Sequence, residues 1–135
     1  MPGGRVLWWR MQMDMPYVLV AEDEAIIGYD LCQTVSEAGF EVEGPVADVS
    51  GATLLVQQRK PDLAILDINL DDGTAYALAE TLIAQDVPVI FHSGQVAGEE
   101  IARRFPGSIA IEKPCPPKEL IERVQRALAQ PIAAA

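Results

Sequence analysis

The chain has 135 residues, half of them apolar and 22% charged, with a net charge of −10. That length suits one globular domain with a buried core. The acidity argues against nucleic acid, because no Lys/Arg excess is there to neutralise phosphates, and against an anionic membrane surface; a cation, or a partner with a basic face, fits it better.

In chain order, residues 1–15 (MPGGRVLWWRMQMDM) read as a flexible leader. The apolar patch at 6–9 is too short for a signal-peptide core, and Arg10 and Asp14 close it off. Met11, Met13 and Met15 each offer a natural start. A competing reading docks Trp8 and Trp9 on a partner or on the domain itself.

The domain then runs over 16–130, leaving 131–135 as a tail. Residues 17–21 (YVLVA) form a continuous apolar run, as expected of a strand buried on both faces. A helix follows with Ile27, Leu31, Val35 and Ala38 on one face and Gly39 at its C-terminal end. Residues 41–47 are a more polar strand that suits a sheet edge. Ser50 can cap a short helix reaching about Gln58. After Pro61-Asp62, residues 63–66 (LAIL) make a third strand ending in Asp67.

A loop with Asp71, Asp72 and Gly73 leads to a helix carrying Leu78, Ala79, Leu82 and Ile83. Residues 88–91 (PVIF) are a fourth strand, ending at His92-Ser93-Gly94. A short helix over 99–105, a fifth strand over 109–111 and a last helix opened by Pro116-Pro117 complete the pattern; Leu120, Val124 and Leu128 repeat along that helix. No run approaches the ~20 apolar residues needed to cross a bilayer. Cys32 and Cys115 lack any CxxC or metal-ligand spacing and read as reduced thiols of a cytoplasmic protein. A redox contact between the first and last helical segments is the rarer alternative.

Five alternations of strand and helix imply an α/β fold: a flavodoxin-like, doubly wound, five-stranded parallel sheet of order 2-1-3-4-5 with helices on both faces. In such folds the site lies at the C-terminal ends of the strands. Glu22, Asp23 and Glu24 follow the first strand, Asp67 the third, Ser93 the fourth and Lys113 the fifth. Three converging carboxylates repel one another unless a cation offsets them, and hard oxygen donors select Mg²⁺ or a similar ion. Carboxylates, a divalent ion, a lysine and a hydroxyl make a phosphoryl-transfer site. Asp67, at the end of the central strand, is the nucleophile candidate for an acyl phosphate.

The segments VLVAEDE, LAILDINL, VIFHSG and EKP, in this order, resemble the receiver domain of two-component response regulators over about residues 16–128. The resemblance implies Asp67 as phosphoacceptor and Mg²⁺ held by Asp23 directly, Glu22 through water, Asp67 and the backbone carbonyl of Asn69. It implies Ser93 as the switch hydroxyl, Lys113 as the phosphoryl-binding lysine, and a cis peptide at Lys113–Pro114. The implied donor is a sensor histidine kinase or phosphotransfer protein. The implied output is a downstream protein bound on the face of the fourth and fifth strands and helices, with no enzymatic activity beyond slow autodephosphorylation.

Three features depart from the family pattern: Ala110 replaces the frequent aromatic three positions before the lysine, Cys115 replaces a frequent Phe, and the loop after Asp67 is short. The missing aromatic and the SG after the fourth strand resemble the stand-alone, CheY-like receivers common in alphaproteobacteria. Ala110 also gives weight to the alternative of a receiver-like docking module that works unphosphorylated. A hydrolase pairing of His92 with Ser93 fails, because strand neighbours face opposite ways and a nucleophile elbow would need Gly where Phe91 stands. His92 is therefore expected to be a half-exposed structural residue. Glu24 reads as a first-turn charge favouring the helix dipole, and Arg103 and Arg104 as a solvated helix face. A flavin- or nucleotide-binding enzyme is disfavoured, since no glycine-rich phosphate loop follows the first strand.

Overall fold

The strand and helix periodicities resolve into ten principal elements, besides a two-stranded ribbon at 69–74, in the computed structural model, which describes residues 15–94 and 98–129. They are β1 (Tyr17–Ala21), α1 (Ala25–Glu37), β2 (Glu41–Val46), α2 (Val49–Gln58), β3 (Leu63–Leu66), α3 (Tyr76–Ala84), β4 (Val89–Ser93), α4 (Gly98–Arg104), β5 (Ile109–Glu112) and α5 (Pro117–Ala129). The strands form one parallel sheet in the order β2-β1-β3-β4-β5, the expected flavodoxin-like arrangement. The expected leader, up to residue 14, and the tail at 131–135 lie outside the described residues.

Alternation along the strands splits the core into two layers. Val18, Val20, Leu63, Ile65, Ile90 and Ile111 pack against Leu31 and Val35 of α1 and Leu120 and Val124 of α5. Leu19, Ala21, Leu66 and Phe91 face the other way, onto Ala52 and Val56 of α2, Leu78 and Leu82 of α3, and Ile101 of α4. β1 and β3 are buried on both faces, which explains their unbroken apolar runs. β2 carries exposed residues along its length, as befits an edge.

Local details differ from the sequence expectations. Asp48, not Ser50, caps α2, its side chain accepting from the Gly51 N–H at 2.7 Å. Ser50 sits inside the first turn, where its N–H and hydroxyl both donate to Asp72 at 3.2 and 2.9 Å, while the Val49 N–H donates to the other Asp72 oxygen at 2.6 Å. Two carboxylates thus share the free N–H groups of one helix start. The loop after Asp67 closes as a short antiparallel ribbon pairing Asn69–Leu70 with Gly73–Thr74, which brings Asp72 to α2 rather than to the strand ends. β4 runs on through Ser93, because His92 and Ser93 pair with β5. Ala38 caps α1 and is exposed rather than continuing its buried face.

The edge strand carries one irregularity that matters for the site. Between Leu19 and Ala21 of β1 the register with β2 shifts by one residue, a bulge at Gly44-Pro45. Gly44 has φ +132°, and a Cβ there would run into the Val20 carbonyl oxygen. Only glycine adopts this backbone at low cost. Gly44→Ala is therefore expected to destabilise the fold by about 2–4 kcal/mol, read as a lower urea midpoint with an unchanged slope.

Candidate functional site

The register of the central strands lines up the site. Ala21 pairs with Leu66 and Leu66 with Phe91, so the next residues, Glu22, Asp67 and His92, lie side by side across the C-terminal edge of the sheet. By alternation all three share the α1/α5 face with Val20, Ile65 and Ile90. On β5, Ile111 has the same orientation, and Lys113, two residues on, reaches back over the row. The Asp67 N–H donates to the Ala21 carbonyl at 2.9 Å and the Lys113 N–H to the Ser93 carbonyl at 2.8 Å, fixing both backbones.

Lys113 Nζ stands at the centre, 2.7 Å from Glu22 Oε1, 3.0 Å from Asp67 Oδ2 and 3.5 Å from Glu24 Oε1. Glu22 Oε2 accepts the Glu24 N–H at 3.1 Å. α1 comes close to β2 here because its Gly28 has no side chain: a Cβ would meet Pro45 Cβ at 2.6 Å and Glu22 Cγ at 3.4 Å. Helix, bulge and the buried Glu22 side chain interlock at that point. The peptide bonds Gly44–Pro45 and Lys113–Pro114 are both cis.

Three carboxylates, Asp67, Glu22 and Asp23, respond differently to one environment. Burial pushes Asp67 up to about 6, with the Glu22 charge adding to the rise and the Lys113 hydrogen bond opposing it. Burial also acts on Glu22, but there the His92 ring, the Lys113 ammonium and the Glu24 N–H outweigh it and bring the carboxyl down to about 2. Asp23 is raised by burial, then by Glu22 and Asp71. Lys113 is raised: burial disfavours its charge, yet Glu22 and Asp67 more than compensate. Glu24 is exposed and makes no side-chain cap of α1, its link to the site being the Lys113 contact.

Glu22, Asp23 and Asp67 can each offer a carboxylate oxygen within 4.8 Å of the others. Oxygen donors alone, two of them made reluctant to ionise by burial and by the neighbouring Glu22 charge, suit a small hard dication. Asn69 lies beside Asp67, its N–H 3.4 Å from Asp67 Oδ1. Ser93 is half-buried at the end of β4, and Ala110, on the exposed side of β5, is solvent-facing. His92 corrects an expectation: it is 3% exposed rather than half-exposed, because β4 is covered by β3 and β5 on its flanks and by the α1/α5 layer above. Cys32 and Cys115 are free and half-buried, and burial pushes both thiols up to about 11, so neither is a ready nucleophile at neutral pH. Arg103 and Arg104 are exposed, as expected of a solvated helix face, and the Arg104 guanidinium lies 4.1 Å over the Tyr76 ring.

A family model described as the response regulator receiver domain matches residues 18–125. The chain is 29% identical over 116 residues to the transcriptional regulatory protein PdtaR of Mycobacterium tuberculosis, a match covering 84% of this chain and 57% of that protein; the chain thus spans little more than half the length of this curated relative. It is similar to the solved non-phosphorylated HemR receiver domain from Leptospira biflexa, at 30% identity and TM-score 0.76, covering 86% of this chain and 96% of that one. A response regulator receiver protein from Sinorhizobium medicae matches at 28% identity and TM-score 0.78, with the same coverages of 86% and 96%.

The shifted carboxyls set a pH dependence. Asp67 binds its proton more tightly folded than unfolded, so its ionisation opposes the fold at neutral pH, and that cost fades as pH falls from about 6 toward the ordinary 3.8. Glu22 has the opposite sign: its contribution is complete above 4.5 and is lost as pH falls toward 2. In metal-free buffer, Asp67→Asn is expected to stabilise the protein at pH 7 by on the order of 1–3 kcal/mol. The gap in Tm between variant and parent should narrow between pH 6.5 and 5, measured by thermal denaturation.

Proposed function

From the premise that this chain belongs to the response regulator receiver domain family of two-component signalling, we propose that it accepts a phosphoryl group on Asp67 and signals through protein–protein contacts. The observation that carries this reading is the Lys113 ammonium shared between Glu22 and Asp67 at 2.7 and 3.0 Å. A cation so placed already faces the carboxylate oxygen that would become the acyl phosphate.

In this reading an Asp67 oxygen attacks phosphorus on the phosphohistidine of a sensor kinase or phosphotransfer protein. The O–P bond forms as the P–N bond breaks, and the electron pair of that bond stays on the imidazole nitrogen. Lys113 turns its charge to the phosphoryl oxygens. Asp23, Asp67 and the Asn69 carbonyl, with Glu22 behind them, are the groups that would hold Mg²⁺. Bound there, the ion would offset the charge on the phosphoryl oxygens and let Asp23 and Asp67 ionise together. Ser93 supplies a hydroxyl for a phosphoryl oxygen.

The added charge acts on the face built from β4, α4, β5 and α5. Ala110 on β5 leaves that face without an aromatic to reorient, so output rests on Ser93 and the backbone after β4. The chain works in this reading as one unit over 16–130 in the cytoplasm. Among the described residues no helix is long and apolar enough to cross a membrane.

Incubation with acetyl phosphate and Mg²⁺ should add one phosphoryl group by mass, and neither Asp67→Asn nor the EDTA-treated protein should gain it. Lys113→Met should slow the reaction by about tenfold to a hundredfold, measured at a temperature where circular dichroism shows the variant folded. Persistence of the adduct in Asp67→Asn would overturn the site. No adduct in the parent protein would favour the unphosphorylated docking module instead.

A further inference from the structure

Three polar or charged side chains are buried among the described residues: Glu22, Asp67 and His92. The phosphoacceptor reading uses the first two and leaves the histidine without a task. An imidazole N–H sealed from water without a partner costs about 1–3 kcal/mol, so a central strand should not carry one idly. His92 Nδ1 is buried with no hydrogen-bond partner, and it lies 3.9 Å from Glu22 Oε1.

Glu22 is held unequally at its two oxygens. Oε2 is pinned by the backbone N–H of Glu24, whereas Oε1 depends on the mobile end of a lysine side chain. The Glu22 side chain is fully buried, so Oε1 has no water to turn to if Lys113 leaves. In the reading above Lys113 does turn away, toward the phosphoryl oxygens. His92 is then the donor beside Oε1.

We infer that His92 is a positioning residue: its Nδ1–H backs Glu22 Oε1, keeps that carboxylate in place when Lys113 turns to the phosphoryl group, and so holds the lysine within reach of Asp67. The geometry stands by itself, and its consequence for reaction rate rests on the phosphoacceptor reading. The row of lateral neighbours explains why a histidine is suited to this place. Glu22 and His92 flank Asp67 on the same sheet face, and a ring on β4 spans a distance that a Ser or Thr side chain would not.

Two amide variants separate positioning from mere packing. Asn places its N–H₂ near the Nδ1 position of histidine, and Gln places it near Nε2. With acetyl phosphate and Mg²⁺, His92→Asn is expected to react within about twofold of the parent and His92→Gln several-fold more slowly. The Gln effect should vanish in a Glu22→Gln background. Equal rates for the two amides, or a Gln effect of the same size in both backgrounds, would overturn the inference. A second measurement needs no change at His92, the chain's single histidine. The ¹⁵N signal of its Nδ1 should shift between the parent and Glu22→Gln in unphosphorylated protein, and an unmoved signal would equally overturn it. This ring signal decides the positioning even if Asp67 accepts no phosphoryl group.

Discussion

One ammonium group holds together an edge that would otherwise repel itself. Glu22, Asp23, Glu24 and Asp67 crowd the C-terminal ends of β1 and β3, and Lys113 is the cation among them. At partly buried sites, charges 3 to 4 Å apart interact by several kcal/mol, so the arrangement of these carboxylates is decided by which of them the lysine touches. Glu22 and Asp67 share it, and their fates diverge: Glu22 is driven down to about 2 and Asp67 up to about 6. The difference is in the donors. Glu22 adds a backbone N–H to the lysine, with the His92 ring 3.9 Å away, while Asp67 meets the lysine beside an already ionised neighbour. A carboxylate kept reluctant to ionise has a reason to take a divalent ion.

The scaffold supplies this crowding through register rather than through loops. Two consecutive parallel pairings without a slip carry Glu22, Asp67 and His92 into one row: Glu22 and Asp67 directly follow β1 and β3, and His92 is the penultimate residue of β4. The single slip lies on the other side of β1, at the Gly44-Pro45 bulge. There it lets Pro45 meet Gly28 and brings α1 down onto the Glu22 side chain. Backbone irregularity is thus confined to the edge strand, where one fewer neighbour must accommodate it. Proteins commonly concentrate locally unfavourable features at sites and compensate elsewhere; here the ionised Asp67 is such a feature, and the doubly buried β1 and β3 are the compensation.

The ribbon after Asp67 has a structural task. It carries Asp72 to the start of α2, where that residue meets two backbone N–H groups and the Ser50 hydroxyl, and the Asp71 N–H donates to the Ala47 carbonyl. The segment that follows Asp67 is thereby tied to the β2–α2 connection.

The sequence by itself determined the element order, the sheet topology and the family. Apolar runs of strand length, helical repeats and a charged or hydroxyl residue after each of β1, β3, β4 and β5 are local patterns, and right-handed crossover leaves few ways to assemble them. It also singled out Glu22, Asp23, Asp67, Ser93 and Lys113, because their chemistry is written in residue type and in position after a strand, while Asn69 entered only through the family resemblance. Lateral register was decided only by the tertiary structure. No local pattern says that residue 92 stands level with residues 22 and 67, so His92 read as a half-exposed structural residue until β3 and β5 closed on its strand. The same holds for the α2 cap: Ser50 read as the cap in sequence, but Asp72, arriving from 22 residues away, takes its N–H and hydroxyl, and Asp48 caps instead. Strand alternation tells which face a side chain takes, but which neighbours it meets there depends on pairings between segments far apart in the chain.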